Sequence, residues 1–236
     1  MHLSGTIINR RRAGSRLVAG LLAAAVLATG ATTMALAQDD AATPTAADCN
    51  VEQAVAEAPL VYTVNSETST ASYVAQEELA TVGASEVIGT TNAIIGSILL
   101  DDEGNPLKCS NFAVDLRTLE TDESRRDNFL RENTLESETY PFATFVLASV
   151  EGLDGPIEDG ETVTAQLVGD LSIHGVTKST TWEAEITRDG EILTGTASHT
   201  FLIADYDMEK PIVGPVVSIE DEIELRIDIV AEAGEA

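Results

Sequence analysis

Over residues 169–186 the chain reads GDLSIHGVTKSTTWEAEI, and apolar and polar positions alternate on both sides of a bend. Leu171 and Ile173 fall between Asp170, Ser172 and His174; beyond His174-Gly175-Val176, Trp182, Ala184 and Ile186 fall between Thr181, Glu183 and Glu185. A strict period of two puts one set of side chains on a dry sheet face and the other in water. The same alternation recurs at 162–174 (Val163, Ala165, Leu167), at 111–117 (Phe112, Val114, Leu116) and at 217–229. In that last run Val217, Ile219, Ile223, Leu225, Ile227 and Ile229 share one parity, and Asp221 is the exception that marks a bulge. Further strands are predicted at 71–79, 87–100, 142–150, 176–188 and 192–202. Turn-forming residues at 101–106, at 152–160 and at Asp189-Gly190 separate them, the last being a two-residue hairpin signal.

One segment breaks this rhythm. Thr121-Asp122-Glu123-Ser124 leads into a charged stretch carrying Phe129 and Leu130, which predicts a helix over about 122–133, capped by Thr121 or Asp122. Residues 49–59 offer one short helical turn. About eight long antiparallel strands and one helix predict an all-β fold, an eight-stranded antiparallel barrel in preference to a sandwich, because closure removes exposed edges. Such a barrel either fills itself with side chains or encloses one apolar ligand. Periodicity leaves that choice open.

The N-terminal residues stand apart. Arg10, Arg11, Arg12 and Arg16 precede an apolar run from Leu17 to about Ala31, and Ala35-Leu36-Ala37 supplies small residues for cleavage. This predicts a signal peptide over 1–37, since the run is shorter than the ~20 residues a spanning helix needs. Export to the periplasm or the medium follows, with no stable membrane insertion after cleavage. Residues 38–59 are predicted to be a disordered or poorly structured leader, 60–231 the barrel domain and 232–236 a short tail.

Cleavage leaves 9 basic against 40 acidic residues, a net charge of −31 over 38–236. A surface so acidic excludes a nucleic-acid partner and argues against adsorption to anionic lipid head groups. Two cysteines, Cys49 and Cys109, lie sixty positions apart without metal-site spacing, and in an oxidising compartment they pair as a disulfide. No metal and no cofactor is expected. A homodimer stays open.

SRRDNFL at 124–130, YPFATF at 140–145 and the opening motif follow the order of motifs in the YceI-like family, which this chain resembles over about 60–230. The third motif carries most of the likeness, through Gly169, Asp170, Leu171, Ile173, Gly175, Val176, Thr177, Lys178 and Thr181. The chain departs from the family at Phe129, where a histidine is usual, at Ser179, where a proline is, and at Trp182. The resemblance implies a lipocalin-like barrel that binds a polyisoprenoid, such as an isoprenoid quinone or another polyprenyl lipid. On that reading the lining is Phe112, Val114, Leu116, Phe145, Leu147, Leu167, Leu171, Ile173, Trp182, Ile186, Leu225 and Ile227. Arg126 and Asp127 are then a polar anchor near the mouth, although an ordinary helix ion pair explains them as well. No serine elbow, carboxylate pair or phosphate loop points to catalysis. An enzyme on an apolar substrate and a structural or stress-response barrel without ligand are the alternatives.

Overall fold

The structure is a computed structural model and describes residues 45–212, 214 and 216–234. The signal peptide predicted for 1–37 lies outside the described residues. The strands are β1 (Leu60–Val64), β2 (Thr70–Leu79), β3 (Gly83–Thr91), β4 (Ile94–Leu100), β5 (Asn111–Asp115), β6 (Phe142–Glu151), β7 (Thr162–Ile173), β8 (Val176–Asp189), β9 (Ile192–Leu202) and β10 (Val216–Ala233). From β4 to β10 each strand pairs antiparallel with the next.

β1 and β2 share one edge of β10: Tyr62 and Val64 oppose Ala233 and Ala231, then Thr70 through Leu79 run along Asp228 to Val216. β3 and β4 follow the same course on the far side of this pair, β3 against β2 and β4 against β1. β1 with β2, and β3 with β4, are therefore two interrupted staves. With β5 to β10 they make a closed antiparallel barrel of eight, as the alternation predicts. The interruptions at 65–69 and at 92–93 each slip the phase by one. Tyr62, Val64, Ile94 and Ile98 face inward at even numbers, whereas Ala71, Ala75, Val87 and Thr91 do so at odd ones. A single strand over 87–100 could not keep one face dry, so the prediction of one strand there is corrected to two.

His174 and Gly175 both take positive φ, 51° and 76°, as a two-residue hairpin between right-twisted strands requires. A β-carbon on Gly175 would come within 2.7 Å of the Tyr140 ring, so that close approach also needs glycine. Along β10 the register shifts between Ile219 and Ile223, and exposed Asp221 reaches Lys210 at 2.6 Å, which is the predicted bulge. A second shift between Val216 and Ser218 turns Val217 outward (57% exposed), while Val216 faces the interior. Val217 thus leaves the apolar seam assigned to it from sequence.

β5 is too short to pair with β3, whose outer edge meets this part of the chain at the Thr90–Glu120 bridge. The segment 116–135 fills the wall instead: a 3₁₀ turn (Leu116–Thr118), helix α2 (Ser124–Phe129) and a π-helical turn (Leu130–Thr134). The predicted helix is thus one α-helical piece continued by a wider turn. Its cap is Glu123, whose carboxylate accepts from the Arg125 N–H at 3.2 Å, in place of Thr121 or Asp122.

The poorly structured leader is corrected for its described part. Residues 51–57 form a helix, α1 (Val51–Glu57), capped by Asn50. Ahead of it, Ala46 is buried and its N–H donates to Asp170 Oδ2 at 2.9 Å. Cys49 and Cys109 are joined in a disulfide with a Cα separation of 5.5 Å. At the other terminus β10 continues to Ala233, into the predicted tail. The barrel end near 152–160 is plugged by buried Ile157, whose carbonyl accepts from Arg188 Nη1 at 3.3 Å while Arg188 Nε donates to the Tyr62 hydroxyl at 3.2 Å.

Candidate functional site

The inward parity converges on a lumen that side chains do not fill. Phe112, Val114, Leu116, Leu171, Ile173, Trp182, Leu225 and Ile227 line a cavity of about 330 Å³. Phe145, Leu147, Leu167 and Ile186, together with Phe112 and Ile227, line a smaller one of about 90 Å³ on the side of Ile157. All twelve residues proposed from sequence as lining thus face one or both spaces, and Phe112 and Ile227 belong to both.

Three aromatic rings stand between the two spaces. Phe112 stacks on Phe145 with centroids 5.2 Å apart, and Trp182 meets their edges at 6.2 and 5.7 Å. Gly169 makes this packing possible: a β-carbon there would run into the Phe145 ring and the Val146 carbonyl. Trp182 is 1% exposed, and its indole N–H donates to Thr180 Oγ1 at 3.1 Å, so its polar atom is satisfied without a ligand. The larger cavity lies in the size range of small-molecule sites and is predominantly apolar.

Two irregular segments complete its wall. The 116–135 segment contributes Leu119, Leu130, Thr134 and Leu135, and the stretch after β9 contributes Ile203 and Met208. These residues escape a period-two reading because they lie outside the strands. β2 contributes Tyr73 and Glu77, on the same inward parity as Ala75. Glu77 was legible as an acid on an apolar parity, the signal that singled out Asp221, but here no bulge expels it. It is 6% exposed, and Arg126 Nη2 stands 3.5 Å from its carboxylate.

The Arg126–Asp127 pair divides. Arg126 lines the cavity and also binds Asp122 at 2.8 Å. Asp127 is not among the lining residues; its buried carboxylate accepts from the Thr121 N–H at 3.0 Å and hydroxyl at 2.6 Å and so holds the loop ahead of α2. Lys178 is engaged by Asp205 at 3.1 Å. Phe129 is half-buried and does not reach the lining.

His174 bonds the Tyr206 carbonyl through Nδ1 at 3.2 Å, and His199 bonds the Thr181 carbonyl at 2.9 Å. The His199 ring lies 5.3 Å from that of Trp182. Burial holds its pKa below the ordinary 6.5, against the opposing pull of the Thr181 carbonyl and Asp205. An imidazolium beside an indole quenches it, so Trp182 emission is expected to fall on acidification with a midpoint below 6.5. His199→Gln should flatten that titration. A midpoint above 6.5 would mean that Asp205 outweighs burial.

A family model described as the YceI-like domain matches residues 62–231. The proteins called YceI from Escherichia coli O157:H7 and Shigella flexneri are each 30% identical over 111 residues, 47% of this chain and 54% of the relative. The chain thus spans about half the length of the curated relatives it matches. Among solved structures, a polyisoprenoid-binding domain from Saccharophagus degradans is similar, with a TM-score of 0.61 and 17% identity, covering 74% of this chain and 99% of that one. Burkholderia cenocepacia BcnA follows at 0.56 and 16%, covering 71% and 99%. At these identities the likeness shows a shared fold.

Proposed function

The chain belongs to the YceI-like family, and from that premise we propose that it is an exported carrier that binds a polyisoprenoid in its barrel without transforming it. The observation that carries the reading is the unfilled lumen of about 330 Å³ walled by the inward apolar parity. A flexible prenyl tail asks for no directed hydrogen bond along its length. Each 100 Å² of it removed from water contributes about 2.5 kcal/mol. The twelve lining residues named above are its proposed contacts, and the fold shared with the polyisoprenoid-binding domain from Saccharophagus degradans supports the ligand class. Export is supported by the Cys49–Cys109 disulfide, which suits an oxidising compartment, and by the signal-like residues 1–37.

Trp182 is the sole tryptophan and touches the lumen. Titrating the delipidated protein with a prenylated benzoquinone is expected to quench its emission saturably, and native mass spectrometry should show one lipid per chain. No quenching and no adduct across prenyl lipids of different length would overturn the proposal and leave a barrel without a ligand.

A further inference from the structure

A carboxylate is costly to place on the wall of an apolar cavity, and Glu77 does not use its full bonding capacity there. Its cation, Arg126, stands at 3.5 Å, beyond good hydrogen-bond length, and shares its charge with Asp122 at 2.8 Å. Two further polar atoms of the same lining are buried with no partner: the Tyr73 hydroxyl and Thr134 Oγ1, the latter on a residue 6% exposed. A satisfied protein interior does not leave such groups idle. The charged residues around the cavity are Glu77, Asp122 and Glu123 against Arg125 and Arg126, an excess of one negative charge.

We propose that Glu77, Tyr73 and Thr134 form a head-group subsite for an uncharged lipid that bears a hydroxyl, a prenol or a prenylated phenol or quinol, and that the subsite rejects phosphorylated prenyl heads. A hydroxyl matches this set: it donates to the Glu77 carboxylate and accepts from Tyr73 or Thr134. A diphosphate offers acceptors where Glu77 needs a donor, and it brings its own negative charge toward a buried carboxylate whose counter-ion is already shared. Burial also raises the Tyr73 pKa far above that of a free phenol, which keeps its proton available to donate. The subsite rests on the lipid-binding reading above and specifies the head that this reading leaves open.

The test compares two ligands with one tail, geranylgeraniol and geranylgeranyl diphosphate, on the delipidated full barrel, read by Trp182 emission and by native mass spectrometry. The alcohol is expected to bind at least tenfold tighter, the scale of one unfavourable buried charge contact. Glu77→Gln should weaken the alcohol, strengthen the diphosphate and move their affinity ratio by about tenfold or more. Tyr73→Phe, which removes one oxygen and keeps the ring, should weaken the alcohol several-fold. Equal or tighter binding of the diphosphate by the wild type overturns the subsite while the lipid-binding reading stands, as does an unchanged ratio in folded Glu77→Gln. Binding of neither ligand overturns the subsite, and it overturns the lipid-binding reading as well when prenyl lipids of other lengths also fail to bind. The wild-type ratio decides the matter even if a variant fails to fold.

Discussion

The Leu171→Trp variant is expected to fold and to lose its bound lipid. Leu171 is 2% exposed, pairs with Phe145 across the sheet and faces the larger cavity. In a filled core the added ring would overpack and cost about 1–3 kcal/mol or more. Here about 330 Å³ of open lumen lies in front of the side chain, so the ring enters space that the prenyl tail would take. Denying the tail about 100 Å² of contact removes about 2.5 kcal/mol, on the order of a fifty- to hundredfold loss in affinity. Native mass spectrometry reads the lipid, and thermal unfolding reads the fold; the new indole makes emission unsuitable for this variant. A melting temperature close to the wild type's with the adduct gone is the expected result. A variant that unfolds, beside a wild type that never carries lipid, would show a dry face packed only against itself.

Most of the barrel was legible wherever one strand keeps one face to the core. β7, β8 and β10, the last beyond its outward turn at Val217, state their parity, and Asp221 announces its bulge because a lone acid on an apolar parity must be expelled or paired. The breaks in the β1/β2 and β3/β4 staves were not legible. Around 94–100 both parities are apolar: Ile94 and Leu100 are inward, while Leu99 is buried on the other face, where its carbonyl accepts from the Leu107 N–H at 2.8 Å. Leu99 is covered and Ile95 is an apolar residue left 65% exposed on that outer face, so the phase slip leaves little polar trace in the sequence. The twelve lining residues follow from parity. The polar part of the site does not, because Arg126 and Thr134 come from a helical segment whose docking against β3 is a long-range event. Glu77 was visible as an anomaly, and what distinguishes it from Asp221 is that the bulge turns Asp221 out to Lys210 while Glu77 stays buried beside Arg126. Whether the lumen is full depends on side-chain volumes summed over eight staves, among them Gly89, Gly96 and Gly169, which make way for Tyr73, Phe112 and Phe145.

Replacing Cys49 and Cys109 together by serine is expected to cost about 4 kcal/mol, the chain-entropy value for a closed loop of this length. For a domain of this size that is a fall of roughly 10 °C in melting temperature. The bridge spans 60 positions and ties the segment before α1 to the residue just ahead of Ser110 and β5. Few other contacts hold that segment. α1 buries none of its residues, and the Ala46 N–H bond to Asp170 is one of the few fixed points ahead of it. Cys109 itself sits at φ 70°, a left-handed conformation that costs a non-glycine residue energy, and its N–H bond to the Leu147 carbonyl at 2.8 Å helps to retain it. Serine keeps that strain and removes the covalent hold. Hydrogen exchange in the double variant should therefore accelerate first at 46–58 and around 107–111, with β7 to β10 protected until global unfolding. Thiol labelling of the oxidised wild type should find no free cysteine. A double variant that melts within about 2 °C of the wild type would mean that the unfolded chain is already confined across this loop, with the bridge adding only a local tether.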